Sequence, residues 1–181
     1  MKTNYKKLLK LSVLIVSSLL IATASATIYD YMYISGKVGV YVLGLKWTEG
    51  ADATNAGVQI SGVTAALNNL QGPPNGTRVY ADPLRLNNTG STVDVDLLID
   101  DVTGNTDHLE SIVIRIYNFT NNASIYNVTV WSGGAKGSSP VDLPQIPANN
   151  VWRFQWEITW KASATAGETV NISLRIRTPA S

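Results

Sequence analysis

From Trp152 to Lys161 the chain alternates without a break, with Trp152, Phe154, Trp156, Ile158 and Trp160 on one side and Arg153, Gln155, Glu157, Thr159 and Lys161 on the other. A period of two marks an extended strand with one buried face; wound as a helix, the same residues would spread apolar groups over every side. Three tryptophans in one row need a second apolar layer to cover them. The row is therefore read as sheet core, in preference to a platform for stacking sugars. The same alternation recurs at Val93, Val95, Leu97 and Ile99 against Asp94, Asp96 and Asp100. It recurs again at Ile112, Ile114 and Ile116, and at Tyr126, Val128 and Val130. The last instance sets Val170, Ile172, Leu174 and Ile176 against Asn171, Ser173, Arg175 and Arg177, and Gly167 in the preceding turn suggests a hairpin with the tryptophan strand.

Elsewhere the pattern is weaker. Thr48 to Asn55 reads as a loop, Val58 and Ile60 alternate like a strand, and Thr64 to Leu70 suits a short helical turn. Gln71-Gly-Pro-Pro-Asn-Gly76 is a turn. Thr77 to Leu86 is extended, with Pro83 implying an edge or a bulge. Gly133 to Asn150, with Pro140, Pro144 and Pro147, reads as a long loop. No stretch beyond the N-terminal region carries a 3.6-residue apolar period over ten residues. Seven to nine strands punctuated by turns predict an all-β fold, an antiparallel β-sandwich.

The N-terminus has a different grammar. Lys2, Lys6, Lys7 and Lys10 precede the apolar run Leu11 to Ile21 and the small residues Ala24-Ser25-Ala26, the layout of a cleaved secretory signal. Ser17 and Ser18 interrupt the apolar run, which is short for a membrane span, although a retained anchor is the alternative. Three segments follow: a signal over 1–26, an arm over 27–43 and a sandwich over 44–181. Removing 26 of 181 residues leaves 155; the four lysines go with them, so 14 basic residues become 10 against 13 acidic, a net charge of −3. That balance disfavours nucleic acid as a partner. With no cysteine in the chain, an exported form has no disulfides to draw on.

Cleavage after Ala26 would make Thr27 to Trp47 the new terminus. Its outer part carries Ile28, Tyr29, Tyr31, Met32, Tyr33 and Ile34; beyond Gly36 an inner run carries Val38, Val40, Tyr41 and Val42. Aromatic and β-branched residues favour strands. Such an arm either pairs within its own domain or completes the sheet of a neighbour, as in donor-strand complementation. Burying about five of these side chains in a neighbour would contribute roughly 8–15 kcal/mol, an upper bound because a free arm is not fully solvated.

Catalytic signatures are missing. His108 is the sole histidine and, with no cysteine, leaves no second soft ligand for zinc. No Gly-x-Ser-x-Gly elbow is present, so His108 is read as a solvated loop residue. Asp100, Asp101 and Asp107 are a candidate calcium cluster, against the simpler reading of solvated turn carboxylates. Asp94 and Asp96 read as polar-face residues rather than an acid/base pair. Six Asn-x-Ser/Thr sequons, at Asn75, Asn87, Asn118, Asn122, Asn127 and Asn171, suggest N-linked glycans on an exposed extracellular surface. Asn127 depends on Tyr126, Val128 and Val130 facing inward. No cofactor is implied.

The signal, the apolar first strand, Leu84-Arg-Leu-Asn-Asn-Thr-Gly-Ser91 before an alternating strand, and Gly167-Glu-Thr-Val-Asn-Ile-Ser-Leu-Arg-Ile176 together resemble the TasA/camelysin group, and within it the archaeal bundling-pilus subunits. The resemblance implies a jelly-roll sandwich polymerising head to tail, with a donor strand inside Ile28 to Val42 and lateral contacts between filaments. Some members carry a metallopeptidase assignment, but this chain has no His-Glu-x-x-His set to support one. The reading is thus a non-enzymatic subunit of a secreted, cell-surface filament whose partners are copies of itself. The competing classes are a secreted or anchored binding module for carbohydrate or envelope components, and a hydrolase with an unrecognised site. N-terminal sequencing of the exported chain is expected to begin at Thr27; retention of Lys2 to Lys10 would restore the anchor.

Overall fold

The computed structural model describes residues 44–178, so the signal and the arm of residues 27–43 lie outside the described residues. Eleven strands and one short helix make up the described chain. In order they are β1 (Leu45–Glu49), α1 (Ala53–Ala56), β2 (Val58–Ser61), β3 (Thr64–Leu70), β4 (Thr77–Asn88), β5 (Val93–Gly104), β6 (Leu109–Asn118), β7 (Ser124–Ser132), β8 (Ala135–Lys136), β9 (Val141–Ile146), β10 (Asn150–Trp160) and β11 (Val170–Arg177). A single 3-10 turn, Thr106–His108, precedes β6.

Two antiparallel sheets form, one ordered β1-β4-β10-β6-β7-β8 and the other β2-β3-β11-β5-β9. Stripped of the marginal strands β1, β2 and β8, the orders become β4-β10-β6-β7 and β3-β11-β5-β9. Those eight strands follow the jelly-roll winding, in which most connections pass from one sheet to the other. The fold is therefore an all-β sandwich, as the alternating rows require.

The row on β10 sits at the centre of the six-stranded sheet, flanked by β4 and β6, with Trp152, Phe154, Trp156, Ile158 and Trp160 each no more than 2% exposed. Ile112, Ile114 and Ile116 of β6 lie beside it in the same sheet. The opposite sheet supplies Val170, Ile172 and Leu174 of β11 with Val95, Leu97 and Ile99 of β5 to the same apolar core. Trp47 of β1 meets Phe154 edge to face at 5.1 Å, and its indole N–H donates to the Val63 carbonyl at 2.9 Å, tying the two sheets together.

Several expectations need correction. β10 and β11 are not a hairpin. Both edges of β10 are occupied by β4 and β6, and β11 lies in the other sheet between β3 and β5. Thr64 to Leu70 is a strand, not a helical turn: pairing with β2 on one side and β11 on the other overrides the helix preference of its Ala and Leu residues. The expected loop at Thr48 to Asn55 instead carries the end of β1 and the start of α1. The proline-rich loop contains β8 and β9; β9 is an edge strand, where Pro144 costs no ladder bond to an outer neighbour. Tyr126, paired with Ile116 near the start of β7, is 40% exposed, and Ile125 packs against the core in its place.

At the end of the sandwich where β1 begins, Asn88 is 1% exposed. Its side-chain amide reaches the carbonyls of Ser91, Ile146 and Pro147 at 2.7, 3.1 and 3.0 Å, and its Oδ1 accepts the Gly90 N–H at 2.9 Å. One side chain thus joins the β4–β5 and β9–β10 turns. Asn88→Ala leaves buried carbonyls without donors, and chemical denaturation is expected to show a loss of about 1–3 kcal/mol; an unchanged midpoint would mean that water replaces the amide.

Candidate functional site: the half-paired edge of β4

β4 is 12 residues long, but its two neighbours do not cover it equally. On one side β10 pairs with Leu84–Asn88 and again with Thr77–Tyr80. On the other side β1 pairs with Leu84–Asn88 alone. A register shift on β4 opposite Phe154 and Trp156 separates the two halves, and Pro83 lies within it, so the bulge reading of that proline holds.

Loop 50–52 closes the edge at the bulge. Gly50 N–H donates to the Pro83 carbonyl at 3.1 Å, and Asp52 N–H to the Asp82 carbonyl at 2.9 Å. Asp82 N–H returns a bond to the Asp52 carboxylate at 3.0 Å. The Asp82 carboxylate accepts from Ala51 N–H at 3.3 Å and from Arg85 Nε at 2.9 Å. That hydrogen bond raises the Arg85 pKa against the opposing effect of burial.

Beyond the bulge nothing strand-like covers residues 77–81 among the described residues. Trp160 N–H donates to the Gly76 carbonyl at 2.9 Å. In an antiparallel ladder this phase gives the β10-facing bonds to Arg78 and Tyr80, and turns the N–H and C=O of Thr77 and Val79 toward the open edge. Val79, 49% exposed, is one of three large apolar side chains exposed among the described residues, with Phe119 and Tyr126. The open stretch is five residues, or about 17 Å, long.

The chain enters the sheet at the opposite end. Leu45 pairs with Asn88, and Thr89 N–H donates to the Gly44 carbonyl at 2.7 Å. Gly44 has φ +108°, and a Cβ there would collide with the Gly90 backbone, so this entry point tolerates no side chain. The arm residues Ile28, Tyr29, Tyr31, Met32, Tyr33, Ile34, Val38, Val40, Tyr41 and Val42 lie outside the described residues.

The other predicted positions are dispersed. His108 is not merely solvated: its Nδ1 lies 2.8 and 2.9 Å from the two Glu168 oxygens. Burial pushes the Glu168 pKa up, but hydrogen bonds from Thr165 and His108 outweigh it, and the net shift is below the ordinary 4.5. Asp100 is held by Arg175 through two 2.7 Å bonds, which keep Arg175 above its usual pKa. Asp101 accepts its neighbour Val102 N–H, and among the described residues no three acidic or histidine groups are placed to share a metal ion.

The sequons differ in access. Asn75, Asn122 and Asn127 are exposed, whereas Asn87, Asn118 and Asn171 are half-buried. Asn127 is accessible because Val128 and Val130 face inward. Asn118 is committed to a turn, its Oδ1 accepting Thr120 N–H at 2.9 Å. The tryptophan row is too deeply buried to stack on a ligand, and the exposed Phe119 ring carries the Arg85 guanidinium at 4.1 Å. A cleft of about 330 Å³ between β1, α1, β2 and β3 holds one acid, Glu49, and no base or nucleophile pair. The β4 edge and the His108–Glu168 pair were missed from sequence. The edge depends on where β1 stops, and the pair joins residues 60 apart.

No protein-family model matches the chain, and no curated relative does. Similar solved structures include the P-domain of Macrobrachium rosenbergii nodavirus, with 10% identity over 78% of this chain and 98% of that one, at a TM-score of 0.37. A second is the carbohydrate-binding module CsCBM6-3 of Clostridium stercorarium in complex with cellobiose, with 12% identity over 68% and 82%, at a TM-score of 0.33. A third is the accessory secretory protein 1, 2 and 3 structure from Streptococcus pneumoniae, with 11% identity over 76% and 98%, at a TM-score of 0.30.

Because the Glu168 pKa is lowered on folding, its contribution to stability is complete above the unfolded glutamate value and is lost as pH falls through the folded one. Urea melts of the parent and Glu168→Gln, taken from about pH 5.5 down to about pH 2, should differ at the upper end and converge at the lower. Parallel curves would exclude an ionised Glu168 from the balance.

Proposed function

We propose that this chain is the structural subunit of an extracellular filament, non-enzymatic, in which the Ile28–Val42 arm of one copy completes the sheet of the next. The observation that carries this reading is a polarity in β4: the chain enters beside Asn88, and the edge left open among the described residues lies at the Thr77 end of the same strand. The two ends are about 36 Å apart, at 3.3 Å per residue. A donor that leaves at one end and an acceptor that opens at the other generate a heterologous contact, which propagates without closing.

The chemistry of the two parts matches. The outer arm, Ile28 to Ile34, is seven residues of strand-forming sequence without proline, long enough for a five-residue edge. Main-chain bonds at Thr77 and Val79 would supply register, and the apolar arm would cover Val79 and its surroundings. In this reading the protein is exported by its signal, stays free of nucleic acid, and carries an N-linked glycan at Asn75, the exposed sequon in the turn before β4.

Proline separates the two edges of β4. Val79→Pro removes an N–H that faces the open edge, whereas Arg78→Pro removes one that bonds to β10. The first variant is expected to fold with a small fall in Tm yet form no fibres by electron microscopy; the second should be strongly destabilised. Normal fibres from Val79→Pro would overturn assembly through this edge.

A further inference from the structure

Two like-charge pairs stand on the outward faces of the sandwich, one of each sign. On the six-stranded sheet Arg153 of β10 is directly opposite Arg85 of β4. On the five-stranded sheet Asp96 of β5 is directly opposite Asp142 of β9. Like charges in directly opposed cross-strand positions are destabilising, so an isolated domain carries both at a cost.

Each pair is half neutralised from within. Asp82 holds Arg85, and Arg177 holds Asp96 with Nε 2.9 Å from Oδ2. The other member of each pair has no such partner. Arg153 donates from Nη2 to the Asn122 amide oxygen at 2.6 Å and lies 5.1 Å above the Tyr117 ring, and it takes part in no ion pair among the described residues. Asp142 is exposed and in no ion pair among the described residues, and exposed Asp94 stands two residues from Asp96 on the same face. Phe119, 45% exposed under the Arg85 guanidinium, adds an apolar contact beside the arginines.

We propose that the outward face around Arg85, Arg153 and Phe119 docks on the outward face around Asp94, Asp96 and Asp142 of a second copy of this chain. Charge complementarity selects that occupant: among the described residues Arg153 on one face and Asp94 and Asp142 on the other are the charges near each pair without an ion-pair partner, and bringing them together relieves a repulsion in both copies. The faces lie on opposite sides of one sandwich, so each copy offers both at once and the contact extends sideways from copy to copy. This contact uses sheet faces and not the β4 edge, so it holds whether or not the arm is donated.

Charge exchange tests it. All measurements use the full chain carrying Val79→Pro, so that edge assembly does not contribute, and follow self-association by sedimentation velocity. At low ionic strength the parent should associate, and about 0.5 M salt should weaken that association at least tenfold, as expected when exposed charges hold the contact. Arg153→Glu and Asp142→Arg should each weaken it at least tenfold alone. Their equimolar mixture should recover the parent affinity, because every face then meets its opposite. Each reversal also removes a like-charge pair within the fold, so each should melt no lower than the parent. Should either reversal fail to fold, Arg153→Gln and Asp142→Asn serve instead, each expected to abolish the salt dependence. A mixture no more associated than the separate variants, or a parent that stays monomeric at low salt, would overturn the proposal.

Discussion

Backbone pairing at the edge of β4 is the constraint on which this account rests. A strand in a sheet needs partners for its N–H and C=O groups on two sides, and an open edge is a template for another strand. β4 meets that need along both halves against β10, on either side of the bulge, and over only five residues against β1. The bulge at Pro83 and the loop 50–52 seal the middle of the strand through Asp82 and Asp52. What remains open among the described residues is therefore bounded on one side by a turn and on the other by a plug, a segment of defined length. The burial of the β10 row holds β4 in place, because Trp156 and Ile158 pair with Tyr80 and Arg78 along the same half.

The rows of alternating residues were legible from the sequence because their information is local. Trp152 to Trp160 face the core as the period requires, and so do the isoleucines of β6 and the apolar residues of β11. Partner choice was not legible. Gly167 between two strong strands suggests a hairpin, yet a jelly roll sends the second strand to the other sheet; nothing in ten residues of alternation encodes which sheet a strand joins. Weak strands failed for a related reason. Thr64–Leu70 is rich in Ala and Leu, and β9 contains a proline, so each owes its extension to neighbours already in place.

The candidate site divides in the same way. The proposed donor arm is visible as composition: aromatic and β-branched residues after a signal-like stretch. An acceptor edge is visible only as a mismatch in length between two strands, which needs the register. His108 and Glu168 meet across two loops, and the two like-charge pairs arise from alignments of residues far apart in sequence, 68 positions for Arg85 and Arg153. Single residues in these sets look ordinary. Their pairing gives them meaning: in the proposed assembly the two faces hold copies side by side while the edge joins them end to end.

Hydrogen exchange at single amides tests the central claim most directly, because Arg78 and Val79 are adjacent in sequence but donate to opposite edges of β4. In the dispersed chain the Arg78 amide should be protected by β10 and the Val79 amide should exchange quickly. In assembled fibres the account predicts that Val79 becomes as slow as Arg78. Fast exchange at Val79 in intact fibres would contradict it.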